Sequence, residues 1–207
     1  MVDTGTLSLR IVIEQYQQLL VDDYQRTYAW SKDEITELFE DLSECTRTGE
    51  NHFFGTLILQ KTADNKAKVV DGQQRLTSIF LLVAALRDEL AKLPSHTIST
   101  PGMIPVDVMQ KVYQFLYPTA AFALHRFVPN RFLQQLNNDV VMAMPGSQQD
   151  VPGKGTTLTL AYRKGIKTVR KLVSDDIAKY TNDSEKLARV DGLVNAILQN
   201  FQVLCVP

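Results

Sequence analysis

The sequence has little cysteine, no long apolar run and no signal-peptide pattern at its start. The two cysteines stand far apart, at Cys45 and Cys205, and so form neither a disulfide framework nor a metal-ligand cluster. The longest apolar run, Ile79–Leu86, is far shorter than the roughly 18–20 residues that a membrane-spanning helix needs. The N-terminus lacks the basic start and apolar stretch of a signal peptide. We therefore expect a cytoplasmic protein without a membrane segment.

Charge and histidine content exclude further classes of protein. The net charge is −1, so bulk electrostatics gives no general case for nucleic-acid binding. Residues 1–50 hold 11 acids and 4 bases, whereas residues 51–207 hold 12 acids and 18 bases. Neither half contains a dense block of like charge, which favours solvated helix faces over a polarised surface. The three histidines are scattered and no H-E-x-x-H or Cys/His spacing occurs, so we expect no transition-metal site.

Hydrophobic periodicity predicts an α+β fold in which a small sheet packs on one buried helix. The capping-box pattern of Ser31–Glu34 predicts a helix start, and a helix that is apolar on almost every side belongs in the middle of a core. The elements predicted in this part are a strand over Leu7–Ile13, or a short helix reaching Leu20, then a loop over Asp22–Trp30, a helix over Lys32–Thr46, a hairpin of His52–Gln60 and Ala67–Val70, and the buried helix Gln74–Leu93.

The Ser/Thr/Pro-rich segment Pro94–Pro105 predicts a boundary between a core, residues 1–94, and a mainly helical lobe, residues 95–207. The chain ends at an apolar strand pattern, from which we expect a piece cut from a longer protein. The elements predicted in the lobe are helices over Val106–Leu116, Arg131–Met142, Thr157–Tyr180 and Ser184–Gln199, and strands over Phe122–Val128 and Phe201–Val206.

The polar pentapeptide Asp71-Gly72-Gln73-Gln74-Arg75 stands between a β-branched run and an apolar helix pattern. Such a strand-to-helix turn can bind an anion, because Gly72 permits close backbone approach, the helix offers free N–H groups and Arg75 can grip phosphate. Gln73 and Gln74 can bond a base, a ribose or an attacking water, and Asp71 can hold Mg²⁺ or orient a nucleophile. Equally, Asp71 can be a helix cap and Arg75 can bridge carboxylates. On spacing alone both interpretations stay open.

Two weaker patterns lie elsewhere. The loop Tyr24–Trp30 holds Arg26, a second cation for a phosphate. Tyr28 or Trp30 can stack a base, and Trp30 can instead pack against the helix that starts at Ser31. A set of basic residues at helical spacing either meets nucleic-acid backbone or forms a solvated face. This basic helix set comprises Arg163, Lys164, Lys167, Arg170 and Lys171.

Three segments together resemble a known family: Y-Q-R-T-Y-A-W at 24–30, H-F-F-G-T-L-I-L at 52–59 and V-V-D-G-Q-Q-R-L-T-S at 69–78. They resemble the N-terminal domain of GmrSD-type, modification-dependent restriction enzymes, which is related to the ParB/sulfiredoxin fold. The resemblance is dense over residues 21–93 and loose beyond residue 94. It implies a ParB/sulfiredoxin-like core, and a domain that binds and hydrolyses NTP and helps to distinguish modified phage DNA from host DNA.

The resemblance also implies roles for residues. By matched position, Asp71, Gln74 and Arg75 would be catalytic, Gln25, Arg26, Gly72, Gln73 and Arg75 would bind the nucleotide, and Asp71 would hold Mg²⁺. Where the family commonly has an apolar residue and a proline before Y-Q-R, this chain has Val21-Asp22-Asp23.

The sequence therefore predicts a nucleotide-binding, NTP-hydrolysing regulatory or sensor domain of a phage-defence restriction protein. It would meet DNA through the full-length protein. The family's HNH-type nuclease half is absent from this chain, so DNA cleavage by the chain alone is not expected. The alternative is a non-catalytic module that binds DNA or a partner, with the basic helix set as its contact surface.

Overall fold

A computed structural model describes residues 5–94, 105–118, 124–145 and 147–206. The described residues form a six-stranded mixed sheet and seven α-helices, and the second half is mainly helical. The strands are β1 (Gly5–Ser8), β2 (Gln18–Leu20), β3 (His52–Lys61), β4 (Lys66–Asp71), β5 (Phe127–Val128) and β6 (Phe201–Val206). The helices are α1 (Leu9–Glu14), α2 (Lys32–Thr48), α3 (Gln73–Leu90), α4 (Pro105–Leu116), α5 (Arg131–Leu136), α6 (Thr157–Ile177) and α7 (Asp183–Asn195).

The strands lie in the order β1-β6-β3-β4-β2-β5. The predicted hairpin of β3 and β4 is confirmed as an antiparallel pair, while β6 runs parallel to β3, and β2 runs parallel to both β4 and β5. The last strand, β6, therefore lies inside the sheet between β1 and β3. Strands from beyond residue 94 thus join the sheet of the first half, and the division at that residue stays a prediction.

The core lies between one face of the sheet and the helices. Side chains along β6 alternate between buried and half-buried positions, as expected for a strand with one face on a core. Helix α3 is buried on nearly all sides and packs against α4 and α6, which confirms the prediction of a central buried helix. The capping box at Ser31 is also confirmed, and Gly49 ends α2 in the left-handed conformation.

Some predicted elements were wrong. The single strand predicted over Leu7–Ile13 is instead β1 followed by α1, because Leu9, Val12 and Ile13 are buried at helical spacing. The helix predicted over Arg131–Met142 changes at Asn137 into a π-helical turn, and another π-helical turn, Ala196–Asn200, follows α7. The strand Phe122–Val128 is reduced to β5, and its residues 122–123 lie outside the described residues, as do residues 95–104 of the predicted linker.

A buried arginine ties the first helix to the second half. Arg126 is 8% exposed, and it donates to Ile13 O at 3.0 Å, to Phe115 O at 3.0 Å and to Gln114 O at 2.8 Å, as well as to Tyr16 O. These carbonyls lie at or next to the C-terminal ends of α1 and α4, which carry the negative ends of the helix dipoles. Two helix ends therefore balance a buried cation, and Arg126 makes no salt bridge within the parts of the chain that the structure describes.

Candidate functional site

The pentapeptide Asp71–Arg75 forms the turn between β4 and α3, as predicted. Gly72 is the N-cap of α3 and has a φ of +91°. A Cβ atom at this position would lie 2.3 Å from Leu57 Cδ2 and 3.1 Å from Thr56 O, so only glycine fits. Because the N-cap has no side chain, nothing from it covers the first N–H groups of the helix. These N–H groups have no side-chain cap and are candidate donors to an anion.

The guanidinium of Arg75 packs against β3, in a space that exists because Gly55 has no side chain. Its Nη1 donates to Phe54 O at 3.2 Å, and a Cβ atom on Gly55, whose φ is +101°, would lie 1.8 Å from Nη1. The side chain is 26% exposed, and its carboxylate neighbour is Asp71, with 3.9 Å between Asp71 Oδ2 and Arg75 Nη2. Nε and Nη2 make no hydrogen bond within the described structure. The guanidinium is thus fixed on one side and can bind a phosphate on the other.

Asp71 is not the cap of α3, contrary to one of the two sequence interpretations. The cap is Gly72, and no side-chain oxygen bonds the first turn. Asp71 ends β4, with its side chain 61% exposed. The carboxylate is therefore free of a structural role in the turn.

The side chain of Gln74 is buried and bonded at both ends. It is 7% exposed. Its Oε1 accepts from Ala29 N at 2.8 Å, and its Nε2 donates to Thr27 O at 3.3 Å. Both ends of this side chain are engaged by the loop, and the catalytic role of Gln74 stays a prediction. In this geometry Gln74 positions the loop Tyr24–Trp30 against α3.

Two further glutamines fasten the same loop. Gln73 Nε2 donates to Arg26 O at 3.1 Å, and Gln25 Nε2 donates to Val70 O at 3.0 Å and also to Val69 O. Gln25 Oε1 is buried and has no hydrogen-bond partner among the described atoms. Gln25, Gln73 and Gln74 therefore hold the loop to β4 and to α3, which places Arg26 beside the helix N-terminus.

Arg26 and Tyr24 are the exposed side chains of the loop that face no described partner. Arg26 is exposed, and its guanidinium makes no hydrogen bond or ion pair within the described part of the chain. Tyr24 is 77% exposed. A cation and an aromatic ring on a loop that is bonded to the turn can meet a phosphate and a base, respectively.

Tyr28 belongs to the core, and Trp30 is partly buried against it. Tyr28 is 4% exposed, and its hydroxyl and Ser78 Oγ lie 2.7 Å apart. Its ring meets the Tyr162 ring edge-on at 5.7 Å, and burial raises the pKa of Tyr28 well above its usual 10. Trp30 packs against the core cluster. The Tyr28 ring is therefore not available to stack a base, and the contact of Trp30 with the core agrees with the packing interpretation of that residue.

Asp71 could bind a magnesium ion only together with ligands that the described residues do not supply, such as phosphate oxygens and waters. No group of three or more His, Cys, Asp or Glu side chains that could hold a metal ion occurs in the described ranges. Mg²⁺ in proteins commonly keeps several waters and binds one or two carboxylates together with substrate phosphates. A single exposed carboxylate beside a phosphate site suits that mode of binding, and it does not suit a metal held by protein ligands alone.

The basic helix set does not form one exposed stripe on α6. Arg163 is 8% exposed and donates from Nη1 to Pro152 O at 3.0 Å. Arg170 donates to Val140 O at 2.8 Å, and Lys171 pairs with Asp175 at 2.8 Å. Only Lys164 and Lys167 of this set are exposed without a described partner.

The sequence did not predict that the Arg75 guanidinium packs against Phe54 and Gly55 of β3. We call this packing position the seat of Arg75. Phe54 and Gly55 lie within a segment that carries the resemblance, where the sequence alone indicates only a strand. An isolated glycine in a strand pattern often marks a close approach of another group. That signal at Gly55 identifies the seat.

Comparison with known protein families gives a match that covers most of the chain. A family model described as GmrSD restriction endonuclease, N-terminal domain, matches residues 9–198. The match therefore includes the loop, the turn and most of the helical second half. A comparison with curated proteins finds no match. In the described residues no helix is long and apolar enough to cross a membrane.

Proposed function

We propose that this chain, which belongs to the family of GmrSD restriction endonuclease N-terminal domains, binds a nucleoside triphosphate at the turn Asp71–Arg75 and hydrolyses it. The family makes the chain a module of a phage-defence restriction system. Within that system we assign it a regulatory or sensor role, in which nucleotide occupancy controls a nuclease half of HNH type. Contact with DNA would then be made by the full-length protein.

The observation that carries the proposal is the seat of Arg75 beside an uncapped helix N-terminus. The guanidinium is fixed by Phe54 O, and the glycine at the helix cap lets an anion approach the N–H groups of α3. Fixed donors bind an anion more strongly than mobile ones, because less side-chain entropy is lost on binding. Arg26, on the adjoining loop, adds a second positive charge for the phosphates.

Residues of the turn and of the loop Tyr24–Trp30 have different roles in this proposal. Arg75, Arg26 and the N–H groups of Gln73 and Gln74 hold the phosphates, and Tyr24 offers a face to the base. Mg²⁺, when bound with the nucleotide, supplies charge neutralisation of the phosphates. Asp71 is the carboxylate that can accept a proton from, or orient, an attacking water. The side-chain amides of Gln25, Gln73 and Gln74 hold the loop in a fixed position next to the turn.

The test is a thermal-shift and hydrolysis screen of the four NTPs with Mg²⁺. Arg75→Gln keeps a polar side chain near Phe54 O but removes the charge. Its matched control is Arg47→Gln, which removes an exposed arginine paired with Glu44 on α2. We expect a stabilising shift from at least one NTP, lost in Arg75→Gln and kept in Arg47→Gln. An unchanged shift in Arg75→Gln, or no shift and no hydrolysis with any NTP, contradicts the proposal.

A second candidate function is DNA binding without hydrolysis, carried by the exposed residues Lys164 and Lys167. Phosphate contacts of this kind weaken steeply as salt rises. The test is a DNA titration at several salt concentrations with Lys164→Glu plus Lys167→Glu. The matched control is Lys32→Glu plus Lys61→Glu, which makes the same change of charge at exposed positions elsewhere. Equal binding by the two double variants excludes this surface.

A further inference from the structure

Asp71 places a negative charge at the entrance to a site that is otherwise built for anions. Its Oδ2 lies 3.9 Å from Arg75 Nη2, and its side chain is 61% exposed. A carboxylate in this place faces the guanidinium that a phosphate oxygen would use. A bare phosphate must therefore displace the carboxylate or bind against its repulsion.

The turn does not need this carboxylate for its structure. Gly72 caps α3, and the side chain of Asp71 makes no hydrogen bond within the described ranges. Its ion pair with Arg75 is at the long end of such contacts, and exposed pairs of this kind contribute little to stability. The charge of Asp71 therefore bears on what binds at the turn.

A divalent cation reverses the effect of that charge. Because no cluster of metal ligands surrounds Asp71 in the described structure, a metal ion has to arrive already bound to the phosphates. Asp71 then faces a positive charge in place of a negative one. We propose that Asp71 is a specificity-determining residue that admits magnesium-chelated polyphosphate and disfavours bare phosphate, including the phosphates of a DNA backbone. This inference rests on the proposed nucleotide site and specifies the form of ligand that the site takes.

The experiment measures binding rather than turnover. Calorimetric titrations with ATP, GTP and inorganic pyrophosphate are run on the whole chain, once with EDTA and once with Mg²⁺. The variants are Asp71→Asn, which removes the charge at nearly constant shape, and Arg75→Gln. The matched control is Asp64→Asn, which removes an exposed carboxylate at the β3–β4 turn, where asparagine tolerates the φ of +60°.

We expect the unmodified chain to bind its ligand more tightly with Mg²⁺ than with EDTA. In EDTA, Asp71→Asn should bind about threefold to tenfold more tightly than the unmodified chain, the effect of removing one screened like charge. The same variant should gain little from Mg²⁺, whereas Asp64→Asn should behave like the unmodified chain.

Three results overturn the inference, and the first two leave the proposed function standing. If Arg75→Gln loses binding while Asp71→Asn keeps the full response to Mg²⁺, the nucleotide site stands and the role of Asp71 is refuted. If Asp71→Asn binds more weakly than the unmodified chain in EDTA, its role is refuted as well. If the unmodified chain binds none of the three ligands under either condition, the proposed function fails and the inference fails with it.

Discussion

Because Arg75 packs against Gly55, replacing Gly55 with alanine should destabilise the fold more than the same replacement at Gly49. Gly55→Ala puts a Cβ atom at a φ of +101° and 1.8 Å from Arg75 Nη1. Gly49→Ala puts a Cβ atom at a φ of +73° with no atom within 4 Å. Both variants therefore carry backbone strain, about 1–2 kcal/mol for an L residue in the left-handed region. Only Gly55→Ala also expels a guanidinium.

The size of the difference follows from the contact that is lost. Arg75 donates one hydrogen bond to Phe54 O, and a hydrogen bond from a charged donor contributes about 1.5–3 kcal/mol. We thus expect Gly55→Ala to lower the free energy of unfolding by about 2.5–5 kcal/mol, the strain and the lost bond together, and Gly49→Ala by about 1–2 kcal/mol. Nucleotide binding should be lost in the first variant and kept in the second.

A double-mutant cycle isolates the clash. In an Arg75→Ala background no guanidinium is present, so Gly55→Ala should cost only its strain, about 1–2 kcal/mol. The coupling between the two positions should then be about 1.5–3 kcal/mol, measured by urea denaturation with linear extrapolation. Equal effects of Gly55→Ala and Gly49→Ala, or a coupling near zero, would refute the packing of Arg75 against Gly55.

Three further predictions concern buried polar groups. Arg126→Met should lower the unfolding free energy by about 3–5 kcal/mol, since it leaves several buried carbonyls unpaired. The control Arg10→Met, at an exposed arginine, should lower it by less than about 1 kcal/mol. Chemical denaturation of both variants measures the difference. Because burial raises the pKa of Tyr28, ionisation favours the unfolded chain, so the stabilisation is complete below pH 10 and is lost as the pH rises above it. Tyr28→Phe should reduce that alkaline loss in denaturation curves at pH 8 and above pH 10, and an unchanged loss contradicts the assignment. Gln74→Met removes the acceptor of Ala29 N, so hydrogen exchange at that amide should become faster while amides in α2 stay protected.

Local signals in the sequence predicted most of the elements near the site. The capping box at Ser31, the hairpin and the apolar pattern of α3 each depend on neighbours within a few residues, and each is confirmed. The π-helical turns at Asn137 and Ala196 were missed, because a helix pattern does not reveal an inserted residue. Leu7–Ile13 was misjudged since β-branched composition outweighed the helical spacing of its buried residues.

The roles within the site depend on contacts that are distant in sequence. The side chains of Gln73 and Gln74 have partners in the carbonyls of Arg26 and Thr27 and the amide of Ala29, and their contact with a ligand stays a prediction. Composition cannot distinguish an amide that meets a ligand from one that meets a backbone loop. The pentapeptide indicated where the site is, and only the packed structure separates the side chains that hold the loop from those that remain free.

The seat of Arg75 also depends on the end of the chain. Phe54 and Gly55 lie on β3, and β3 is flanked on one side by β4, which leads into the turn, and on the other by β6. Gly55 is opposite Val203 of β6, at the place where the register between the two strands shifts. A shift of this kind bends a strand and redirects its carbonyls, and here it accompanies the carbonyl that receives the guanidinium. The pentapeptide Asp71–Arg75 lies in the first half of the chain, whereas β6, from residues 201–206, pairs with the strand whose Phe54 carbonyl accepts the hydrogen bond of Arg75.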